Sequence, residues 1–422
     1  MQPFPRDFLW GVATAGHQTE GDNVHSDTWF LEHTEPTLFV EPSGPACGSY
    51  ERVESDLDLV AGLGLDAFRF SVEWARVEPA RGEVSVAALD HYDHLVDAAL
   101  ARGLRPLVTY NHFTSPHWFA AAGSWLAPDA ADRFADQVHR VTSRLGDRLE
   151  AAVTLNEPNL EQLLQASGKL PPEAETLKRD MLASAARAAG TSSYYSSNVV
   201  PADAQDAFCH ALTRAHRAAR SAAKAVRSDL PVGVSIALAD ERAVPGGEAR
   251  RDARRAAVYD HWLHVAREDD FVGVQNYEVL WHGPDGDVVP DGPLNGMGSS
   301  VDPSSLAGAV RYAHEVSRVP VLVTEHGMQT EDDTERAAFL PASLELLADE
   351  IAAGTPVLGY CHWTLLDNFE WIFGYGPKLG LFAVDRATLE RTAKPSAAVY
   401  RDLVATARST SRGSARVVPA PA

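Results

Sequence analysis

The sequence predicts a single (β/α)8 barrel of the α/β class with elaborated loops after its strands, and three observations carry that expectation. Eight short apolar runs alternate with longer amphipathic stretches rich in Ala, Arg and Glu, the mark of repeated βα units feeding a parallel sheet. Polar and aromatic residues that a core would not select stand at the carboxyl end of nearly every run. The first run passes into its loop through Gly11-Val-Ala-Thr-Ala-Gly16, which lacks the glycine spacing of a dinucleotide loop and so ranks an open doubly wound sheet second.

The strands are expected at Phe8 to Thr14, Ala67 to Val72, Arg105 to Tyr110, Ala151 to Leu155, Val232 to Ala237, Phe271 to Val274, Val321 to Thr324 and Val357 to His362. Between them lie helical patterns. In Ala87 to Arg102, Leu89, Tyr92, Leu95, Val96, Ala99 and Leu100 recur at helical spacing before Gly103 closes the segment. Two connections fit the pattern less well. Asn159 to Pro201 holds Pro171-Pro172, a helical stretch around Lys178 to Ala189 and the small polar run Gly190 to Asn198, which reads as a surface loop or lid. Trp281 to Ser300, rich in glycine and proline, reads as a long loop after the sixth strand. Residues 1–407 are expected to form one catalytic domain. Residues 408–422, with almost no core-forming side chains, are expected to be a loosely ordered tail.

The 422 residues are 45% hydrophobic, enough for a large core, and their formal charge of −21 excludes polyanionic partners such as nucleic acid. Cys47, Cys209 and Cys361 are odd in number and widely spaced, which predicts three reduced thiols and neither a disulfide framework nor a zinc site. The first residues lack a basic segment followed by an apolar one, and no apolar run approaches the roughly 18 residues of a membrane span. A soluble cytoplasmic protein without membrane association is expected. No H-E-x-x-H, EF-hand or P-loop motif is present, so neither a metal nor another cofactor is predicted.

The chemistry is read from two acids. Glu157 in Thr154-Leu-Asn-Glu-Pro158 and Glu325 in Val323-Thr-Glu-His-Gly327 each end an apolar run that breaks at once, which presents the acid at a sheet end. They lie too far apart in sequence for local pairing, but a parallel barrel gathers strand ends on one face. Two facing carboxyl groups suit glycosidic bond cleavage, where the leaving oxygen needs a proton and the anomeric carbon needs a nucleophile opposite. Arg69 can hold Glu325 ionised if it ends the second strand, and Asn156 can bond a sugar hydroxyl. Gln18, His112, Glu370, Trp363 and Trp371 supply the hydrogen bonds and aromatic surface that sugars require.

These residues resemble glycoside hydrolase family 1, the β-glucosidase family, from Phe8 to about Leu403. Phe8-Leu-Trp-Gly-Val-Ala-Thr-Ala-Gly-His-Gln-Thr-Glu-Gly21 resembles the family's opening strand and Phe68-Arg-Phe-Ser-Val-Glu-Trp-Ala-Arg76 its second. The segment around Glu157 resembles the acid/base signature, that around Glu325 the nucleophile signature, and Trp363-Thr-Leu-Leu-Asp-Asn-Phe-Glu-Trp371 the segment that grips the sugar. The resemblance implies a retaining β-glycosidase acting on small-molecule β-glycosides, with Glu157 as general acid/base, Glu325 as nucleophile, and Tyr277 and Arg69 touching that nucleophile. Gln18, His112, Asn156, Gln275, Glu370 and Trp371 would bind the non-reducing sugar above Trp363 as a floor. Glu370-Trp371 favours an unphosphorylated hexose, because relatives that cleave 6-phosphorylated sugars differ here. His326 stands where many members have Asn, and Gln275 takes another Asn position. A transglycosidase tailoring a secondary-metabolite glycoside is the alternative within enzymes, and a catalytically silent sugar-binding protein on the same barrel the alternative outside them.

Overall fold

In the computed structural model, which describes residues 2–169, 172–296 and 298–413, the eight apolar runs form eight parallel strands closed into a barrel. They are β1 (Leu9–Ala13), β2 (Ala67–Ser71), β3 (Arg105–Asn111), β4 (Ala151–Asn156), β5 (Val232–Ala237), β6 (Phe271–Asn276), β7 (Val321–His326) and β8 (Val357–Trp363). Each pairs with its sequence neighbours, and β8 closes on β1 with Leu9 opposite Gly359 and Ala13 opposite Trp363.

Side chains alternate between the barrel interior and the helical layer with the period of two that a strand imposes. The lower interior is apolar, filled by Leu9, Ala67, Leu107, Ala151, Val153, Phe271 and Leu322. Gly233 makes room for this packing, since a Cβ there would lie 2.3 Å from the Phe271 carbonyl and 3.0 Å from its ring. Towards the carboxyl ends the inward positions turn polar, with Arg69, Ser71, Thr109, Gln275 and Glu325. The outward positions, Val12, Phe68, Phe70, Val108, Val234, Val272, Val274 and Val323, join the larger core beneath the helices. This double burial is why the strands read as nearly continuous apolar runs.

The helix expected at Ala87 to Arg102 spans Val86–Ala101. The Ser85 hydroxyl caps it by accepting from the Ala88 amide at 3.2 Å, and Gly103 follows its end at φ 72°. Two connections are more ordered than expected. Asn159 to Pro201 carries helices Leu160–Ala166 and Pro172–Ala188, and Tyr194 and Ser196 within the polar run are buried. The Tyr194 hydroxyl meets His117 Nδ1 at 3.0 Å and its ring packs on Phe30, so one aromatic gives a small polar segment its anchor. The long loop expected from Trp281 begins inside a strand. Val279–His282 pairs in parallel with Asp240–Ala243 and antiparallel with Asp287–Val288, a partnership with a segment beyond β5 that local pattern does not reveal.

The last helix runs Pro395–Gly413, so residues 408–413 of the expected tail are helical, and Arg408 Nη2 reaches Asp66 at 2.5 Å. Residues 414–422 lie outside the described residues. Cys47 and Cys361 are buried free thiols and Cys209 is a half-buried one. No described helix is long and apolar enough to cross a membrane.

Candidate active site

The site is built around one buried cation. Arg69 faces inward from the middle of β2 and is 0% exposed, so its donors must be placed on acceptors rather than water. Nη1 donates to Glu325 Oε1 at 2.6 Å and to the Thr324 carbonyl at 3.3 Å, Nη2 to Asn156 Oδ1 at 2.6 Å, and Nε to Thr109 Oγ1 at 3.1 Å. Two acceptors reach Arg69 through breaks in strand regularity. The β4 register shifts between Val153 and Asn156, and the β7 register between Val323 and Glu325, turning inward a residue that strict alternation would send outward.

The Glu325 carboxylate has three donors. Arg69 and Gln275 Nε2, the latter at 2.9 Å, share Oε1, and the Tyr277 hydroxyl donates to Oε2 at 2.7 Å. Burial raises the proton affinity of Glu325, while the Arg69 charge and the Tyr277 hydrogen bond oppose that rise. Burial and the Glu325 charge push the Tyr277 phenol well above its ordinary value, so it stays protonated and able to donate.

Glu157 stands one residue past β4 with φ 43°, a left-handed backbone uncommon for a non-glycine residue and fixed here by its neighbours. Its amide donates to the Ser235 carbonyl at 2.8 Å. Beyond Pro158, Asn159 clasps β5, with Nδ2 donating to the Ala237 carbonyl at 2.8 Å and Oδ1 accepting from the Ala237 amide at 3.0 Å. Among the described residues no hydrogen-bond donor reaches the Glu157 carboxylate. Burial, the nearby Glu325 charge and Glu370 push its pKa well above the ordinary value, against the weaker pull of Arg69.

Across the pocket, the short helix Gly16–Thr19 after β1 carries Gln18, whose Nε2 donates to the Phe369 carbonyl at 2.8 Å and to Asn368 Oδ1 and Glu370 Oε2 at 3.3 Å. Burial, aided by the Glu325 charge, raises Glu370 to about 8 despite the Gln18 contact. Trp363 ends β8 and stacks on His112 with centroids 5.7 Å apart and planes at 18°. Trp371 lies parallel to His112 at 6.1 Å. Several buried polar atoms around these residues have no protein partner: Gln18 Oε1, His112 Nδ1, Asn156 Nδ2 and Asn368 Nδ2. Such atoms are costly unless a bound molecule or water completes them, and a polyhydroxylated ligand offers both donors and acceptors.

The chain matches the model of glycosyl hydrolase family 1 over residues 1–272 and 283–409. It belongs to glycosyl hydrolase family 1. It is 31% identical over 476 residues to a bifunctional β-D-glucosidase/β-D-fucosidase of Bifidobacterium breve, covering 95% of this chain and 98% of the relative. Among solved structures it is similar to the β-glycosidase BGL167, at 47% identity with a TM-score of 0.89 and full coverage of both chains. It is also similar to the β-glucosidase of Thermotoga maritima in complex with deoxynojirimycin, at 26% identity and a TM-score of 0.82, over 97% of this chain and 99% of that one.

In this family 1 glycoside hydrolase, the structure gathers Arg69, Asn156, Gln275, Tyr277 and Glu325 into one hydrogen-bonded group, with Glu157 and Glu370 close enough to influence the acids electrostatically. Gln275 is placed against Glu325 and Asn156 rather than apart from them as a sugar contact alone. His326 points away from the pocket, with Nδ1 at 3.0 Å from the Tyr360 hydroxyl and its ring stacked on Phe339. Glu73, another strand-end acid, ties neighbouring loops by accepting from Ser71 Oγ, Asn23 Nδ2 and Thr114 Oγ1. The sequence reading does not single out Thr109, Asn159 or Asn368. Thr109 carried a usable signal, as a hydroxyl two residues after Leu107 on the inward side of β3, and Asn368 lies within the Trp363–Trp371 segment.

Proposed function

We propose that this chain is a retaining β-glycosidase that removes terminal non-reducing β-D-glucosyl residues, or the related β-D-galactosyl or β-D-fucosyl residues. The observation that carries this reading is the unequal setting of two acids: Glu325 receives three donors including a buried guanidinium, whereas Glu157 receives none and holds its proton more tightly. Double displacement needs that inequality. Glu325 attacks the anomeric carbon while Glu157 gives its proton to the departing oxygen, so the glycosidic bond breaks as the glycosyl ester forms. Glu157, now ionised, takes a proton from water. That water attacks the anomeric carbon and releases Glu325 with net retention.

Arg69 and Tyr277 orient the attacking carboxylate, and Gln18, His112, Asn156 and Glu370 engage sugar hydroxyls above Trp363. Glu370, raised to about 8 and so largely protonated at neutral pH, can both donate to and accept from sugar hydroxyls, and it supplies no cation to pair a phosphorylated or uronic sugar. The Bifidobacterium relative, a bifunctional β-D-glucosidase/β-D-fucosidase, keeps β-fucosides among the candidate substrates. A panel of aryl β-glucoside, β-galactoside, β-fucoside, β-xyloside and β-glucuronide tests the reading, with proton NMR following the released sugar. The expected result is glucoside turnover with the β-anomer appearing first; an α-anomer appearing first, or no turnover on any member, rejects it.

The pH profile follows from the same asymmetry. Glu325 must be ionised and Glu157 protonated, and both are raised above the ordinary carboxyl value of 4.5. Activity is therefore lost on the acid side as Glu325 takes a proton and on the alkaline side as Glu157 loses one, with both limbs displaced upward. The apparent values belong to the pair, because each acid's charge acts on the other. Measured with a mononitrophenyl glycoside, for which the wild type still depends on the proton, Glu157→Gln should abolish the alkaline limb of kcat/KM; a limb unchanged in that variant would assign it to another group.

A further inference from the structure

We propose that His17 is a positioning residue that holds Trp371 in its sugar-facing orientation, and that Glu32 and Asn23 hold His17. The proposal rests on the reading of this pocket as a sugar site. Trp371 has φ 50°, a left-handed backbone that a bulky residue rarely adopts, so its surroundings must keep it there. The His17 ring lies parallel to the indole, with centroids 5.6 Å apart and planes at 8°, while Phe113 meets the indole edge-on at 5.1 Å.

His17 is 1% exposed and cannot turn freely, because both ring nitrogens are engaged. Asn23 Nδ2 approaches Nδ1 at 3.4 Å, and Nε2 lies 2.8 Å from Glu32 Oε1. With Asn23 donating to Nδ1 and Nε2 donating to Glu32, both nitrogens are satisfied. Glu32 is fixed in turn, its Oε2 accepting from the Ser43 amide at 2.9 Å and the Ser43 hydroxyl at 2.7 Å. The same excursion between β1 and β2 grips the Trp371 segment directly: the Val40 amide donates to the Ile372 carbonyl at 3.2 Å and Glu41 accepts from the Tyr375 amide at 2.9 Å. A polar chain from Ser43 through Glu32 thus ends on a ring whose face sets the plane of the indole.

A double-mutant cycle tests whether His17 acts through Trp371. The probe is deoxynojirimycin, its dissociation constant measured by calorimetry for wild type, His17→Ala, Trp371→Ala and the double variant, so that binding is read without turnover. His17→Ala is expected to weaken binding about tenfold in the wild-type background and less than about twofold beside Trp371→Ala, a coupling typical of residues in contact. His17→Phe keeps a flat face and should restore most of the affinity. Glu32→Gln should give a smaller loss that also vanishes without Trp371, and it carries the test if His17→Ala does not fold. Losses that add in the double variant, or full affinity in His17→Ala, overturn the proposal. Turnover of an aryl β-glucoside by the wild type, measured separately, tests the reading of the site itself.

Discussion

Glu325→Gly is expected to lower kcat for an aryl β-glucoside by about 10⁵-fold, on the scale of removing an activated nucleophile from an otherwise intact site. The argument is local. Among the described residues no other carboxylate is clasped by Arg69, Gln275 and Tyr277, and Glu157, which lacks such donors and holds its proton, is not set up to replace it. The truncation leaves a cavity beside a buried guanidinium that still needs an anion. Azide is small, nucleophilic and negatively charged, so it should enter that cavity and attack the anomeric carbon from the vacated side. The expected product is an α-glycosyl azide, inverted because one displacement replaces two. Melting temperature controls for folding, since the Arg69 network also ties β2 to β3, β4 and β7. Hydrolysis within tenfold of wild type would show that Glu325 is not the attacking group.

The barrel is legible in the sequence because each strand is buried on both faces, which makes eight apolar runs stand out between amphipathic helices. The acids are legible because each sits where such a run breaks. What escapes is whatever depends on register or on partners distant in sequence. Asn156 and Glu325 face the pocket through shifts in strand pairing, and a shift leaves no mark in the pattern of residues. Asn159 looks like an ordinary loop residue after Pro158, yet it bonds both backbone groups of Ala237. His17 looks like one more polar residue beside Gln18, because its partners Glu32 and Trp371 approach it only once the loops after β1 and β8 are packed. The small sheet at Val279–His282 was hidden for a similar reason, its parallel partner arriving from beyond β5.

Glu157→Ala should separate the two halves of the proposed double displacement, which uses this residue as acid in one and base in the other. With a poor leaving group such as an alkyl alcohol, departure needs the proton, and kcat/KM is expected to fall by about 10⁴-fold, at the upper end of general-acid contributions. With a dinitrophenolate leaving group the proton is not required, so formation of the glycosyl ester should proceed at close to the wild-type rate. Its hydrolysis then lacks a base, and a burst of one equivalent of phenolate followed by slow turnover is the expected trace. Azide should accelerate that slow phase and give a β-glycosyl azide, because it attacks an ester already formed on Glu325 and completes two inversions. The anomeric configuration of the azide product therefore assigns both acids at once: α from the Glu325 variant and β from the Glu157 variant. The same configuration from both would mean that these carboxyl groups do not divide the work as their hydrogen bonding implies, and equal losses for alkyl and dinitrophenyl substrates would remove Glu157 from the proton-transfer role.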